Sequence, residues 1–193
     1  MVPWVLLVEG NIGAGKSSMI KYVQQQLSGT AETIAEPINQ TLFMMMSTSS
    51  ITQQRLWANF CFQMCTLMQR AYNFKYALGD ERCTHHLLLD RSMYGDMLFA
   101  AVNADNLKWA PDFIAAYDES CKLAGVSPER PLVEHVNKTT LMIYVATDVQ
   151  QCKRQIATRA RTGEDALTTA YLGALDDAHM NMILYIRHVT LMD

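Results

Sequence analysis

The feature that most constrains this chain is a glycine-rich segment that separates an apolar run from a helical pattern. Its residues Gly10 to Ser17 fit the pattern G-x-x-x-x-G-K-[ST]. Glycines let successive backbone N–H groups turn toward an anion, and the start of the following helix adds positive potential. In this pattern the lysine reaches the outer phosphates and the hydroxyl binds Mg²⁺. We therefore predict a triphosphate site formed by Gly10, Asn11, Ile12, Gly13, Ala14, Gly15, Lys16, Ser17 and Ser18.

Apolar runs alternate with helical periodicities along the rest of the chain. Such alternation predicts an α/β fold, with a five-stranded parallel sheet flanked by helices. The Thr41–Gln54 segment has no clear pattern, and Gly125–Lys138 is typical of a loop. The predicted strands are Val2–Val8, Thr33–Ala35, His86–Leu89, Leu141–Val145 and Val189–Met192. The predicted helices are Lys16–Leu27, Gln53–Leu78, Tyr94–Asn103, Pro111–Leu123, Asp148–Arg161 and Asp165–Ile186.

Length and composition favour one compact domain over residues 1–193. Half of the residues are hydrophobic and 18% are charged, which excludes a disordered chain. The net charge of −3 argues against nucleic acid as a partner. The sequence contains neither a basic leader nor an apolar run long enough for a membrane span. We expect a cytoplasmic protein, with the nucleus as the alternative compartment.

The five cysteines do not form a C-x-x-C pair, which favours reduced thiols. Cys61 and Cys65 lie one helical turn apart, and His85 and His86 follow Cys83, so these residues are a candidate metal site. Zinc frameworks normally show paired short spacings. Buried, unreactive cysteines are therefore the favoured interpretation.

The glycine-rich motif alone fits a GTPase, an ATPase motor or a small-molecule kinase. A GTPase needs D-x-x-G, and no aspartate here has glycine three residues later. It also needs N-K-x-D, whereas Asn137-Lys138 is followed by Thr139-Thr140. The GTPase interpretation is therefore disfavoured.

Phosphoryl transfer to a hydroxyl requires a base near the acceptor oxygen and cations around the phosphoryl group. Glu36 follows the second predicted strand, and Asp90-Arg91 follows the third. Ligands collect at the carboxyl ends of parallel strands, so we expect Lys16, Glu36 and Arg91 to converge in one cleft. Asp90 would hold the metal through water, and Arg91 would orient the acceptor oxygen.

A cluster of cations follows the fourth predicted strand and is suited to a mobile lid over residues 154–165. Arg154 and Arg161 are two helical turns apart, so on an intact helix they can converge on one anion. Arg159 would point elsewhere unless the end of the helix unwinds. Lid arginines stabilise charge and help to exclude water.

Together these motifs resemble the deoxynucleoside kinase family, which includes deoxycytidine, deoxyguanosine and mitochondrial thymidine kinases. The resemblance implies a P-loop kinase fold with an arginine-rich lid, ATP as phosphate donor, Mg²⁺, a homodimer and a role in nucleotide salvage. The motifs that carry it, in consistent order along most of the chain, are Glu9–Ser17, Glu36-Pro37, Phe62-Gln63 with Arg70, Asp90-Arg91-Ser92 with Asp96, and Arg159-Ala160-Arg161 with Glu164.

The resemblance also implies a role for each site residue. Glu36 corresponds to the base for the 5′-hydroxyl, with Arg91 holding that oxygen. Gln63 would bind the edge of the nucleobase beside Phe62, and Glu164 would reach the 3′-hydroxyl. An Arg/Asp pair near the base is similar to that of the deoxycytidine and purine kinases and would crowd a thymine methyl group. The other implied site residues are Lys16, Arg159 and Arg161 for catalysis, Ser17 and Asp90 for the metal, and Arg70 and Asp96 for that pair.

Two other functions remain open on the sequence. A thymidylate-type nucleoside monophosphate kinase shares the phosphate loop, a Glu-Pro and an Asp-Arg. That family resembles R-E-P-G around its glutamate, whereas the residues here are Ala35-Glu36-Pro37-Ile38, which favours a neutral hydroxyl acceptor. The second alternative is a catalytically silent nucleotide-binding protein.

Overall fold

The computed structural model describes residues 4–27, 30–79, 86–125 and 139–190. Strands and helices alternate through these ranges, as the apolar pattern predicts. The strands are β1 (Trp4–Glu9), β2 (Ala31–Ile34), β3 (His86–Asp90) and β4 (Thr139–Tyr144). The helices are α1 (Lys16–Gln26), α2 (Gln40–Thr48), α3 (Thr52–Gly79), α4 (Met93–Leu107), α5 (Pro111–Leu123), α6 (Val149–Arg159) and α7 (Thr169–Thr190).

The strands form one parallel sheet in the order β2-β3-β1-β4. The described residues contribute four strands rather than the five predicted. Val189 and Thr190 of the fifth predicted strand lie in α7, and residues 191–192 fall outside the described ranges. A four-residue apolar run does not distinguish a strand from a helix, and Val189 also continues the helical spacing of Met182 and Ile186.

The two central strands are buried on both faces, which is why their sequences are almost continuously apolar. On one face, Val5, Leu7, Leu87 and Leu89 pack with side chains of α3, α4 and α5. On the other face, Leu6, Val8 and Leu88 pack against α1. This packing fixes the sheet so that the carboxyl ends of β1, β2 and β3 meet at one edge.

Several helix bounds differ from the sequence prediction. Helix α7 begins at Thr169 rather than Asp165 and runs to Thr190 rather than Ile186. Helix α2 (Gln40–Thr48) covers much of the Thr41–Gln54 segment, where no pattern was clear. Asn39 caps it, since its side chain accepts a hydrogen bond of 3.0 Å from the N–H of Leu42. Helix α6 ends at Arg159 rather than Arg161, because Ala160 takes a left-handed conformation with φ of 48°.

The predicted loop over Gly125–Lys138 lies outside the described residues except for Gly125. Among the described helices, none has the length and apolar character needed to cross a membrane.

Candidate active site

The phosphate loop joins β1 to α1 in a conformation that depends on glycine. Gly13 and Gly15 have φ values of 75° and 96°, in the left-handed region that L side chains rarely adopt. A Cβ atom at Gly13 would also lie 2.5 Å from the carbonyl oxygen of Cys152 in α6. The loop is held from outside as well, since Asn11 Nδ2 donates to the carbonyl oxygen of Leu172 at 2.8 Å. The loop is therefore shaped before any ligand arrives.

Lys16 is almost fully buried at the start of α1. Its Nζ donates to the carbonyl oxygen of Asn11 at 2.9 Å. Burial, with the nearby charge of Arg91, lowers the pKa of Lys16 to about 7, although Glu36 and Asp90 oppose the shift. Phosphate oxygens beside Nζ would favour the charged form.

Glu36 and Arg91 form an ion pair at the carboxyl edge of the sheet. Arg91 Nε donates to Glu36 Oε1 at 2.7 Å, and Arg91 Nη1 donates to the carbonyl oxygen of Gly10 at 2.7 Å. The guanidinium carbon also lies 4.5 Å from the centre of the Phe99 ring. Burial alone would raise the pKa of Glu36. The positive charges of Arg91 and Lys16 outweigh this effect, so the pKa lies below its ordinary value. Glu36 is therefore a carboxylate at neutral pH.

Ser17 and Asp90 form the candidate magnesium site. The Ser17 hydroxyl donates to Asp90 Oδ2 at 3.2 Å, whereas Asp90 Oδ1 is buried without a hydrogen-bond partner. Burial and the charge of Glu36 raise the pKa of Asp90, against the effect of Lys16 and Arg91. A hydroxyl and a carboxylate with a spare oxygen fit Mg²⁺, which usually takes few protein ligands and completes its shell with phosphate and water. The described residues contain no group of three or more metal-binding His, Cys, Asp or Glu side chains.

A cavity of about 300 Å³ opens beside this cluster and brings most of the predicted residues together. The predicted convergence of Lys16, Glu36 and Arg91 is observed, because all three line it. From the predicted base and sugar contacts, the lining also includes Phe62, Gln63, Asp96 and Glu164.

Arg70 lies behind the cavity wall and is not among the lining residues. Its Nε donates to Asp96 Oδ2 at 2.6 Å, and its Nη1 donates to the carbonyl oxygen of Asp90 at 2.6 Å. Burial raises the pKa of Asp96 to about 6, although Arg70 opposes the shift. Arg70 thus fixes Asp96 and the end of β3, and Asp96 is the member of the pair that faces the cavity.

Two of the lid arginines converge on Glu164. Arg159 Nη2 lies 2.6 and 2.7 Å from the two oxygens of Glu164, and Arg161 Nη1 lies 3.5 Å from one of them. Arg154 instead donates to Gln151 at 2.9 Å on the exposed side of α6. The convergence of Arg154 with Arg161 does not form, because the helix ends at Arg159 and the next residue turns the chain.

Several lining residues were missed in the sequence. Phe43 and Met46 come from α2, whose methionine-rich sequence gave no signal beyond general gap filling. Tyr171 hydrogen-bonds with Asn103, and burial raises the pKa of its hydroxyl to about 12. Nothing in the local sequence marks Asn103 or Tyr171, since α4 and α7 bring them together over 68 residues of chain.

The chain is similar in sequence and in fold to known nucleoside kinases. The chain is 24% identical over 185 residues to the thymidine kinase of Ictalurid herpesvirus 1 (strain Auburn), covering 91% of this chain and 72% of that protein. Among solved structures, deoxyadenosine kinase from M. mycoides with dCMP and dCDP matches with a TM-score of 0.72 and 19% identity, over 96% of this chain and 85% of the other. The same enzyme with dATP gives a TM-score of 0.71 and 20% identity, over 97% and 86%.

The family comparison covers nearly the whole chain. The profile of the deoxynucleoside kinase family matches residues 6–192, from the first strand through the last described helix. The solved structures share the α/β architecture of a parallel sheet flanked by helices. On this evidence, the chain belongs to the deoxynucleoside kinase family.

Proposed function

We propose that this protein transfers the γ-phosphate of ATP to the 5′-hydroxyl of a deoxynucleoside, as a step of nucleotide salvage. Family membership supports a nucleoside kinase, that is, a phosphotransferase. The observation that carries the proposal is the cavity in which Lys16, Glu36 and Arg91 meet, with Glu36 Oε1 2.7 Å from Arg91 Nε. An anion site, a carboxylate base and a fixed guanidinium are what transfer to a neutral hydroxyl requires.

In this reaction Glu36 accepts the proton of the 5′-hydroxyl as that oxygen bonds to the γ-phosphorus. The bond from this phosphorus to the bridging oxygen breaks, and ADP leaves with that oxygen. Lys16 and Arg91 stabilise the charge spread over the phosphoryl oxygens. Mg²⁺, held through Ser17 and Asp90, would neutralise donor phosphate charge when bound.

The segment 154–165 serves as the lid in this proposal, within one domain that spans residues 1–193. Two of its three arginines, Arg159 and Arg161, already line the cavity. Their partner Glu164 is nearly buried and would exchange an arginine contact for the 3′-hydroxyl of the sugar. The lid would then supply arginines to the donor phosphates and a carboxylate to the sugar of the acceptor.

We further propose deoxycytidine or a purine deoxynucleoside as the preferred acceptor. Gln63 is buried and lines the cavity beside Phe62, where its amide can pair with the edge of a base. Asp96 supplies an acceptor for an exocyclic amino group, and Arg70 holds it rigidly. The M. mycoides enzyme binds dATP and dCTP, which supports this choice. Thymidine is the second candidate, because the herpesvirus relative is a thymidine kinase.

A substrate panel tests the proposal. The purified protein is incubated with Mg²⁺ and ATP, and with deoxycytidine, deoxyadenosine, deoxyguanosine, thymidine or the corresponding monophosphates. We expect 5′-monophosphates from the first three nucleosides, with higher kcat/KM than for thymidine. Transfer only to monophosphates would favour the thymidylate-type alternative, and nucleotide binding without turnover would favour a silent binding protein.

We also propose that the protein forms a homodimer through one face of α3. Apolar side chains recur on this face at helical spacing, and Trp57 and Met68 are 48% and 41% exposed. Helix α5 packs against α3 and also carries exposed apolar side chains, among them Ile114 and Leu123. The α3 residues of the stripe are Trp57, Cys61, Cys65, Met68 and Tyr72.

Met68→Glu is expected to convert the dimer to a monomer, because it places a charge within the apolar stripe. The mass in solution, measured by light scattering at micromolar concentration, reads this out directly. Tyr22→Glu is the matched control, since Tyr22 is an exposed aromatic residue on α1, away from the stripe. A wild-type protein of monomeric mass would contradict the dimer proposal.

The net charge of −3 supports small molecules rather than nucleic acid as partners. A cytoplasmic location remains a prediction.

A further inference from the structure

A buried carboxylate lies directly behind the phosphate loop and takes no part in the reaction described above. Glu9 ends β1, and its side chain has no exposed surface. Burying a carboxylate is costly unless hydrogen bonds and opposite charges compensate for the lost water. The contacts of Glu9 therefore indicate which neighbouring groups its carboxylate holds in position.

One oxygen of Glu9 fixes the turn that carries Arg91. Oε1 accepts hydrogen bonds from both the backbone N–H and the hydroxyl of Ser92. The Ser92 hydroxyl in turn accepts from the N–H of Gly95 and caps α4. A Cβ atom at Gly95 would lie 2.8 Å from each carboxylate oxygen, so the first turn of α4 is shaped around Glu9. Arg91 sits in this turn with a φ of 71°.

The other oxygen of Glu9 faces Arg91 without a hydrogen bond. Oε2 has no hydrogen-bond partner among the described residues, and Arg91 Nη1 lies 3.9 Å away. His179 Nε2 lies at the same distance. The Nδ1 atom of His179 is 2.6 Å from the carbonyl oxygen of Leu175, so the ring proton is assigned to Nδ1 and Nε2 of the neutral ring is an acceptor.

Burial lowers the pKa of His179, which favours this neutral ring. Two acceptors do not hydrogen-bond with each other, so His179 does not satisfy Oε2. Arg91 is therefore the donor that Oε2 faces among these neighbours. Shortening of the 3.9 Å contact by about 1 Å would form a charge-assisted hydrogen bond.

We propose that Glu9 is a positioning residue that holds Arg91 in place while Glu36 changes charge. This inference rests on the proposed function, in which Glu36 takes up the proton of the acceptor hydroxyl. Protonation removes the negative charge that Arg91 Nε contacts at 2.7 Å. Glu9 then retains an acceptor and a negative charge beside Nη1, and the guanidinium stays aligned for transfer.

Glu9→Gln tests this role, because the amide keeps the size of the side chain and an acceptor for Ser92 but removes the charge. We expect kcat for the best deoxynucleoside to fall about 10–100-fold, as when partners that orient a functional group are lost. The KM for the nucleoside should change less than about threefold, because Glu9 does not line the cavity.

A double-mutant cycle with Arg91→Ala separates positioning from general structural damage. If Glu9 acts through Arg91, Glu9→Gln will cause no further loss of kcat in the Arg91→Ala background. Ser92→Ala, which keeps the backbone N–H bond to Oε1, provides a second variant if Glu9→Gln does not fold. It should give a smaller loss that also disappears without Arg91.

The inference would be overturned if Glu9→Gln lowered kcat by the same factor in the wild-type and Arg91→Ala proteins, or if it left kcat unchanged. In either case an active wild-type protein would still support the proposed function. A wild-type protein that phosphorylates no deoxynucleoside would refute the proposed function and the inference with it.

Discussion

Replacing Glu36 by glutamine is expected to lower kcat about 10²–10⁴-fold, the usual contribution of a general base. The amide is nearly isosteric and can still accept the 2.7 Å hydrogen bond from Arg91 Nε, so the cavity should keep its shape. It cannot accept the proton of the acceptor hydroxyl. Binding of ATP should change little, because the phosphate loop lies in another segment of the chain. Steady-state kinetics and calorimetric titration with ATP measure the two effects.

Glu32→Gln is the matched control for this variant. Glu32 is an exposed glutamate on β2, four residues before Glu36, and should tolerate the change without loss of turnover. A Glu36→Gln protein with nearly wild-type kcat would contradict the assignment of the base. Loss of ATP binding together with turnover would instead show that Glu36 supports the phosphate loop.

Lys16→Met is expected to have opposite effects on activity and on stability. It removes the cation nearest the donor phosphates, so kcat/KM should fall about 10²–10³-fold, as when one charge-stabilising donor is lost. Without nucleotide, the variant should be more stable than the wild type, because burial of Lys16 disfavours its charged form. Thermal unfolding across a pH series measures the second effect.

The pH dependence of this stability difference has a definite sign. The pKa of Lys16 is lowered from 10.5 to about 7 on folding, so between these values the unfolded chain binds more protons than the folded one. Wild-type stability therefore rises with pH across this window. The advantage of Lys16→Met should be greatest at and below pH 7 and should shrink toward pH 10.

Lys21→Met, on the exposed side of α1, is the control and should change neither activity nor the pH trend. If Lys16→Met is less stable than the wild type at pH 7, burial of the charged Lys16 side chain does not destabilise the folded protein and this prediction is wrong.

The parts of the site that could be predicted from sequence are those carried by short motifs at strand ends. Lys16, Glu36 and Arg91 each follow a strand closely, and a parallel sheet brings such positions to one edge whatever the details of packing. The order of the four described strands, and of the described helices other than α2, also followed from apolar spacing. The fifth strand was mispredicted because its few apolar residues also fit the period of α7.

Residues that depend on distant contacts could not be predicted. Tyr171 and Asn103 reach the cavity only because α4 and α7 pack together. The roles within the Arg/Asp pair needed coordinates too, since Asp96 faces the cavity and Arg70 does not. The direction of Arg159 depends on the left-handed conformation of Ala160. Glycine and asparagine are the residues that usually take this conformation, so an alanine gives no sign of it in the sequence.

The cavity lining also bears on how a mildly acidic chain would accommodate the strongly anionic donor proposed for it. Its four cations, Lys16, Arg91, Arg159 and Arg161, are matched by four acids, Glu36, Asp90, Asp96 and Glu164. The formal charges of these side chains cancel, so no excess of like charge in the cavity destabilises the folded protein. In the proposed reaction, entry of a triphosphate would in part be an exchange of partners, in which Arg159 and Arg161 leave Glu164 for phosphate. Glu164, released in this way, would then be able to bind the sugar of the acceptor.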